Sequence, residues 1–185
     1  MSWTFDQEGF YRTGDAVRFV DPAHPEHGLL FDGRVAEDFK LDTGTWVSVG
    51  MLRVKAIAAL APVAQDVVNA GHDRSEIGFL VFPNVPACRR LTASLAPDAP
   101  VEQVLGHTSV RHTLAQGLAG LKAAGGGSST YATRAMLLAD PASIDLGEIT
   151  DKGQLNQRAV LTHRAARVDA LFQSPEDANV ITCPK

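Results

Sequence analysis

The chain has 185 residues, of which 45% are hydrophobic and 21% charged, and its formal net charge is −4. These values are ordinary for one or two small globular domains, and a negative charge without a Lys/Arg cluster argues against a nucleic-acid-binding surface. No apolar run approaches the about 20 residues that a membrane span needs, and Met1–Asp6 lacks the features of a secretory signal. Cys88 and Cys183 lie far apart, so reduced thiols in a cytoplasmic protein are favoured over a disulfide.

The first predicted element is a tight turn at Thr13–Asp15 that leads into a strand. Gly14 lies between a hydroxyl and a carboxylate, and the largely apolar residues 16–20 follow, which is typical of a turn entering a strand. Residues 29–31 predict a second strand, so the turn-rich connection indicates a hairpin with a long loop. Asp15 would stand at the start of the first strand, where its carboxylate could accept hydrogen bonds from vicinal hydroxyl groups.

The rest of the chain predicts a mixture of strands and helices without strict alternation. Apolar runs predict further strands at 39–41, 46–49, 63–69, 77–82 and 132–138. Helical spacing predicts helices at 50–60, from 108 or 109 to the glycines at 125–127, and from Asn156 to Phe172. Residues 83–100 are predicted as a loop or short irregular element, and the tail after Ser174 as loosely held. The fold class predicted is α+β, with a small sheet flanked by helices after the N-terminal hairpin.

Two basic residues each allow a functional and a structural interpretation. The Lys152 ammonium could stabilise charge that develops on a transferring phosphoryl group. Taken alone, Lys152 is more simply interpreted as a surface lysine that faces Asp151 or Glu148. Arg34 either caps the end of the hairpin or supplies, with Asp15, a donor and an acceptor in one pocket suited to a ribose.

The remaining motif candidates are interpreted as structural. His24 and His27 have the spacing HxxH, but they lie in a proline-rich connection without a cysteine partner. A solvated loop is therefore favoured over a metal site, and no metal site is predicted. The glycines at 125–127 lack the Lys and Ser/Thr that complete a phosphate-binding loop, so a linker is favoured there.

Three blocks of the chain carry a family resemblance: Tyr11–Asp15 (YRTGD), Gly33–Leu41 (GRVAEDFKL) and Gly44–Gly50 (GTWVSVG). Together they resemble the C-terminal part of AMP-forming acyl-CoA synthetases, which belong to the adenylate-forming superfamily. The amino-acid sequences of these blocks and of Glu148–Val160 are most similar to those of feruloyl-CoA synthetases. The resemblance extends from Gly9 to Phe172, which is nearly the whole chain.

The resemblance implies part of an ATP-dependent acid–CoA ligase. The complete enzyme would activate a carboxylic acid, of the hydroxycinnamate type such as ferulate, as an acyl-adenylate and transfer it to CoA. It would use ATP, Mg²⁺ and CoA, with none bound tightly by this chain alone. Residues 1–33 would end the large adenylation domain, 34–173 would form the mobile C-terminal lid, and 174–185 a tail. The large domain would be the missing partner, and the isolated chain would be inactive.

The resemblance also implies roles for individual residues. Asp15 would bind the ribose hydroxyls of ATP with help from Arg34, and Lys152 would bridge the carboxylate substrate and phosphate during adenylation. After the lid rotates, a loop would line the pantetheine channel with Gly44, Thr45 and Trp46. The hinge between the two domains would be formed by Ala36, Glu37, Asp38 and Lys40.

The chain departs from the family pattern at two places. Ala36 stands at the hinge position where the family often has Asp or Lys. In the usual lysine motif Gly precedes Lys and Arg follows three residues later, whereas here Gly153 follows Lys152 and Arg158 lies six residues on. Two other classes of function therefore stay open: a stand-alone nucleotide- or partner-binding module without catalysis, and the lid of an enzyme that loads a carrier protein.

Overall fold

The computed structural model describes residues 4–174 and 177–184. It begins with the predicted hairpin, in which β1 (Asp15–Phe19) pairs antiparallel with β2 (Leu29–Arg34). The turn before β1 also forms as predicted, because Thr13 Oγ1 accepts a hydrogen bond of 3.1 Å from the Asp15 N–H. Gly14 has a φ of 74°, which a residue with a side chain adopts rarely.

A second, shorter strand pair joins the hairpin to the main body of the fold. Strands β3 (Phe39–Lys40) and β4 (Trp46–Val47) pair antiparallel, and helix α1 (Val49–Ala59) follows directly. The main sheet has the strand order β5-β6-β7-β8. Its strands are β5 (Ala64–Ala70), β6 (Gly78–Pro83), β7 (Arg134–Leu137) and β8 (Val180–Thr182). Only β6 and β7 are parallel neighbours in this sheet.

Helices cover both faces of the main sheet. The long connection from β6 to β7 contains α2 (Val85–Leu91), α3 (Val101–Gly106) and α4 (Thr108–Ala123). Helices α5 (Gln157–His163) and α6 (Ala165–Phe172) pack on the opposite face. The predicted α+β fold class, with a small sheet flanked by helices, is confirmed. Along the described residues no helix combines the length and the apolar character that crossing a membrane requires.

The alternating side chains of the sheet divide the buried residues into two clusters. In β6, Phe79 and Val81 pack with α1 and α4, whereas Leu80 and Phe82 pack with α5 and α6. This follows from the strand period of two, which directs successive side chains to opposite faces. Both faces of β6 are therefore buried, and its sequence is apolar throughout.

Three predictions about local structure are wrong. The stretch 83–100 contains helix α2, which begins because the Asn84 side chain accepts a hydrogen bond from the Ala87 N–H. The helix predicted from Asn156 to Phe172 is divided at Arg164, although Asn156 does cap its start. The tail contains β8, which the guanidinium of Arg111 holds through the backbone carbonyls of residues 178–180.

The hairpin lies outside both buried clusters. In the described part of the chain no buried hydrophobic residue precedes Phe39. The two strands of the hairpin instead expose large side chains, among them Val17, Phe19, Leu29 and Phe31.

Removal of residues 1–33 is therefore expected to leave the remaining chain folded. Because neither cluster loses a buried hydrophobic side chain, we expect the melting temperature of 34–185 to stay within about 5 °C of that of the whole chain, which corresponds to a loss of about 1 kcal/mol or less. Thermal unfolding followed by circular dichroism measures this difference. Loss of the cooperative transition in the shortened chain would contradict the division at residue 33.

Candidate functional site

A cleft of about 870 Å³ lies between the hairpin, the start of α1 and the loop before α5. Its lining includes the three residues to which the sequence assigned the nucleotide chemistry: Asp15, Arg34 and Lys152. Asp15 and Arg34 belong to the hairpin, whereas Lys152 lies more than a hundred residues further along the chain, so the fold brings Lys152 to the other two. Two further cations line the same cleft, Arg53 and Arg158.

Asp15 and Arg34 face each other at the end of the hairpin because they are paired in the strand register. Arg34 Nε lies 3.1 Å from Asp15 Oδ1, and Arg34 Nη1 donates a hydrogen bond of 3.4 Å to the carbonyl of Thr13. The Nε–H group does not point toward Oδ1 well enough to form a hydrogen bond. Among the described residues, Oδ1 is therefore a buried oxygen without a hydrogen-bond partner. Arg34 thus holds the hairpin end, as one interpretation expected, and the exposed part of the Asp15 carboxylate lines the cleft.

Two glycines let the hairpin approach α1 closely beside this pair. A Cβ atom on Gly50 would lie 2.5 Å from the Cα of Gly33, closer than real Cβ atoms approach other atoms. The contact is supported by Ser48 Oγ, which donates to the carbonyl of Asp32 at 3.3 Å. The wall of the cleft at this point is therefore bare backbone, which leaves the space above it open.

Lys152 lies at the tip of a tight turn. The strand-like residues Ile149 and Leu155 pair on either side, and the Thr150 N–H donates to the Gln154 carbonyl at 2.8 Å. Gly153 has a φ of 73°, which closes the turn. Lys152 is exposed, and within residues 4–174 and 177–184 no carboxylate lies within 4.0 Å of its ammonium. Lys152 thus lies on the surface, as the structural interpretation expected, but forms no ion pair with Asp151 or Glu148.

The Lys152 turn is anchored by a buried ion pair between Glu148 and Arg164. Arg164 donates from Nε and Nη2 to the two carboxylate oxygens of Glu148, at 2.9 and 2.8 Å. The Ser143 N–H donates to the same carboxylate at 2.8 Å, and Glu148 is only 1% exposed. These hydrogen bonds, chiefly that from Arg164, hold the pKa of Glu148 below its ordinary value. The pair also explains the division of the last helix, since Arg164 leaves the helix to reach Glu148.

The cleft carries more positive than negative charge. Four cations line it, whereas Asp15 and Glu37 are its only acids among the described residues. Partial burial raises the pKa of Glu37 above its ordinary value, although Arg53 and Arg34 act in the opposite direction. An excess of fixed cations in a cleft attracts anionic ligands such as phosphates.

The sequence reasoning missed Arg53 and noticed Arg158 only as a departure from the family spacing. Arg53 projects from α1 and is held by Asp66 of β5, whose Oδ1 accepts from its Nε at 2.7 Å. Nothing in the local sequence marks Arg53 as a cleft residue, because its position depends on how α1 packs against the sheet. For Arg158, the separation from Lys152 by six residues was the available signal.

The residues predicted for the second reaction step lie outside the cleft. Gly44 and Thr45 lie in the exposed turn between β3 and β4, where Gly44 has a φ of 80°, and the exposed Trp46 begins β4. The ammonium of Lys40 lies 4.9 Å from the centre of the Trp46 ring, a cation–π contact. In this conformation the turn therefore does not line the cleft that contains Asp15.

The predicted hinge residues differ in how firmly they are held. Asp38 caps the start of α1, because its Oδ1 accepts from the Val49 N–H at 2.9 Å. On the other side, the Val35 N–H donates to the Gly14 carbonyl at 3.0 Å, which ties residue 35 to the hairpin. Ala36 and Glu37 lie between these two anchors and line the cleft.

The chain resembles adenylation domains of carboxylic acid reductases in solved structures. The A domain of the enzyme from Segniliparus rugosus, in complex with AMP and a co-purified carboxylic acid, matches 91% of this chain with a TM-score of 0.67 and 24% identity. The corresponding values for the adenylation domain from Mycobacterium chelonae are 91%, 0.65 and 25%. For the A-PCP didomain from S. rugosus, in complex with AMP, they are 91%, 0.63 and 24%.

The chain has the fold of the C-terminal domain of adenylate-forming enzymes. It spans about a quarter of the matched structures, covering 24%, 24% and 21% of their chains. No protein-family model and no curated protein matches the chain. The resemblance to the superfamily is thus supported at the level of fold, whereas feruloyl-CoA synthetase and the individual residue roles stay predictions.

Proposed function

We propose that this chain contributes the mobile lid and the adjoining end of the large domain to an ATP-dependent enzyme that activates a carboxylic acid as its adenylate. The observation that carries the proposal is the cleft, in which Asp15, Arg34 and Lys152 meet. A carboxylate acceptor suits the hydroxyl groups of a ribose, and a free ammonium suits a phosphoryl group. The fold shared with adenylation domains in complex with AMP supports the same conclusion.

In the first half-reaction, an oxygen of the substrate carboxylate attacks the α-phosphorus of ATP, and the bond to pyrophosphate breaks. Charge on the phosphate oxygens changes during this step, so a fixed cation at the site lowers the barrier. Lys152 supplies that cation from a turn that Glu148 and Arg164 hold in place. Asp15 binds the ribose and thereby orients the nucleotide toward the turn.

In the second half-reaction, a thiol attacks the acyl carbon of the adenylate and AMP leaves. We propose that the lid rotates between the two steps, with the bending confined to Ala36 and Glu37. These two residues lie between the hairpin anchor at Val35 and the helix anchor at Asp38. The rotation would break the close approach of Gly33 and Gly50 and the hydrogen bond from Ser48 Oγ to the Asp32 carbonyl. The turn with Gly44, Thr45 and Trp46 would then replace Lys152 at the site, as predicted from the sequence.

The described cleft does not fit a Mg²⁺ site formed by this chain alone. Mg²⁺ prefers six oxygen ligands in octahedral geometry. The only acids lining the described cleft are Asp15, which pairs with Arg34, and Glu37, which lies beside Arg34 and Arg53. We therefore assign no residue of this chain to Mg²⁺ binding.

The acceptor of the acyl group has two candidates. The resemblance of the sequence blocks to feruloyl-CoA synthetases supports CoA as the acceptor and a hydroxycinnamate such as ferulate as the acid. The similar fold of the A-PCP didomain supports a carrier-protein thiol as the second candidate. Both acceptors present a thiol to the same site, so the fold of the lid agrees with either. The free thiols of Cys88 and Cys183 agree with the reducing cytoplasm as the location of this activity.

The exposed face of the hairpin supports a large domain as the partner. Val17 lies opposite Phe31 and Phe19 opposite Leu29, and all four side chains are about half exposed or more. Contiguous exposed apolar side chains of this kind mark surfaces that another protein part covers. We therefore propose that the large adenylation domain packs against this face.

The test uses a polypeptide that carries this chain together with the large adenylation domain. Substitution Asp15→Ala is expected to raise the KM for ATP in acid-dependent ATP–pyrophosphate exchange by about 10- to 100-fold, since hydrogen bonds to a charged acceptor contribute about 1.5–3 kcal/mol. Asp98→Asn, at an exposed loop outside the cleft, is the control and should leave KM unchanged.

An unchanged KM for ATP in the Asp15→Ala enzyme would contradict the ribose assignment. Absence of exchange with every carboxylic acid tested would contradict the proposed activity as a whole. If exchange is found, supplying CoA or a carrier protein that bears the phosphopantetheine thiol identifies the acceptor by the thioester that forms.

A further inference from the structure

The loop at the far end of the hairpin brings three metal-ligand side chains together. His24, Glu26 and His27 offer two imidazole nitrogens and one carboxylate oxygen, and these atoms all lie within 4.8 Å of one another. Among residues 4–174 and 177–184, no other group of three His, Cys, Asp or Glu side chains meets this condition. The group lies outside the cleft, and the inference below does not depend on the proposed function.

The backbone of the loop explains why the two imidazoles meet. Pro25–His27 form a single turn of 3₁₀-helix, which folds the chain back so that His27 lies near His24. His24 is the residue just before this turn, with a φ of −132° and a ψ of 75°, and its ring stacks on that of His27 with centroids 5.1 Å apart and planes at 21°. The structure therefore places the two HxxH imidazoles side by side. The sequence alone favoured a solvated loop and did not predict this contact.

Hydrogen bonds hold the loop in this shape before any ligand arrives. The His24 N–H donates to the Asp21 carbonyl at 3.1 Å, and the His27 N–H donates to the His24 carbonyl at 3.0 Å. Pro25 fixes its own φ near the start of the turn. A loop that is already ordered loses less conformational entropy when its side chains bind an ion.

We propose that His24, Glu26 and His27 form a binding site for a divalent transition-metal ion such as Zn²⁺. Two imidazoles and one carboxylate are a ligand set that Zn²⁺ accepts, with bonds of about 2.0–2.2 Å. Ligand atoms around a tetrahedral ion then stand about 3.4 Å apart. Glu26 Oε1 already lies 3.0 Å from His24 Nδ1, so the exposed His27 side chain makes the larger adjustment.

The site is distinct from the nucleotide chemistry. The strand pair next to the loop is Phe19 and Leu29, whereas Asp15 and Arg34 form the pair at the opposite end. Four residues of extended strand separate Phe19 from Asp15 by about 13 Å. With three protein ligands the ion keeps at least one open position for water, so we expect weaker binding than at a closed four-ligand site.

The test titrates ZnCl₂ into the full chain without an affinity tag and measures heat by calorimetry, with visible absorption of bound Co²⁺ as a second readout. We expect one ion per chain. The double substitution His24→Ala/His27→Ala should abolish measurable binding, and Glu26→Gln should weaken it by at least the 10- to 100-fold that loss of an outer-sphere partner costs. All three side chains are exposed, so these variants are expected to fold.

The matched control is His72→Ala. His72 is also exposed and its Nδ1 lies 3.0 Å from Asp73 Oδ2, but no third ligand joins this pair in the described chain. The proposal requires that His72→Ala bind Zn²⁺ like the unsubstituted chain. It is overturned if the unsubstituted chain binds no Zn²⁺, if the double variant binds as well, or if His72→Ala weakens binding as much as the double variant.

Discussion

Substitution Lys152→Ala is expected to lower the rate of adenylate formation by about 100- to 1,000-fold, the loss that follows removal of one group stabilising charge in a transition state. The same substitution should spare thioester formation from a supplied acyl-adenylate, because in the proposed mechanism the lid rotates after the first step and Lys152 leaves the site. ATP–pyrophosphate exchange and thiol consumption measure the two half-reactions separately. Both are measured in a polypeptide that includes the large adenylation domain.

The structure makes Lys152 a favourable position for such a test. Its side chain is exposed and, in the part of the chain that is described, takes part in no ion pair or hydrogen bond. Alanine at this position should therefore leave the stability of the lid within about 0.5 kcal/mol of its original value. Lys55→Ala, on the exposed side of α1 and outside the cleft, is the matched control. An equal loss in both half-reactions would contradict the assignment of Lys152 to adenylation alone.

The N-terminal part of the site could be predicted from sequence because its chemistry is local. Gly14 permits the turn, and the turn places Asp15 first in its strand. The partner Arg34 could be chosen as well, since the two strands of a hairpin must return to the same end. For Lys152 the local sequence allowed a phosphoryl role but favoured a surface lysine, and the family resemblance is what favoured the phosphoryl role.

The rest could not be predicted because it depends on contacts between distant segments. Arg164 interrupts a helical pattern that would otherwise continue, since its guanidinium is drawn to Glu148, 16 residues earlier. Strand β8 forms because Arg111 and β7 lie beside it, and its own three residues are too few to signal a strand. In the same way Arg53 becomes a cleft residue only when α1 packs on β5.

The hairpin loop shows a different limit of sequence reasoning. The sequence favoured a solvated loop at His24 and His27, and the structure shows both side chains exposed on a single 3₁₀ turn. In this turn Glu26, the third side chain of the proposed site, lies between the two histidines in sequence and close to both in space. Spacing alone therefore could not distinguish a solvated loop from a metal site.

Substitution Arg164→Ala is expected to destabilise the chain by about 3–5 kcal/mol, the cost of leaving one partner of a buried ion pair uncompensated. Glu148 would then keep a buried carboxylate with only the Ser143 N–H as its donor. Urea unfolding at pH 7 measures the loss. Arg167→Ala, an exposed arginine one helical turn away, is the control and should cost less than about 0.5 kcal/mol. Arg164→Lys should fall between them, because an ammonium keeps the charge but not the two-pronged geometry.

The Glu148–Arg164 ion pair also predicts how pH changes the difference in unfolding free energy between the unsubstituted chain and Arg164→Ala. The pKa of Glu148 in the folded chain lies below its ordinary value of 4.5, mainly because Arg164 donates to the carboxylate. The stability that the ion pair contributes is therefore fully present above about pH 4.5 and is lost as the pH falls through the lower folded value. The free-energy difference between the unsubstituted chain and Arg164→Ala should be largest near neutral pH and should shrink below pH 4.5. A difference that stays constant from pH 7 to pH 3.5 would contradict an ionised Glu148 as the anchor of the Lys152 turn.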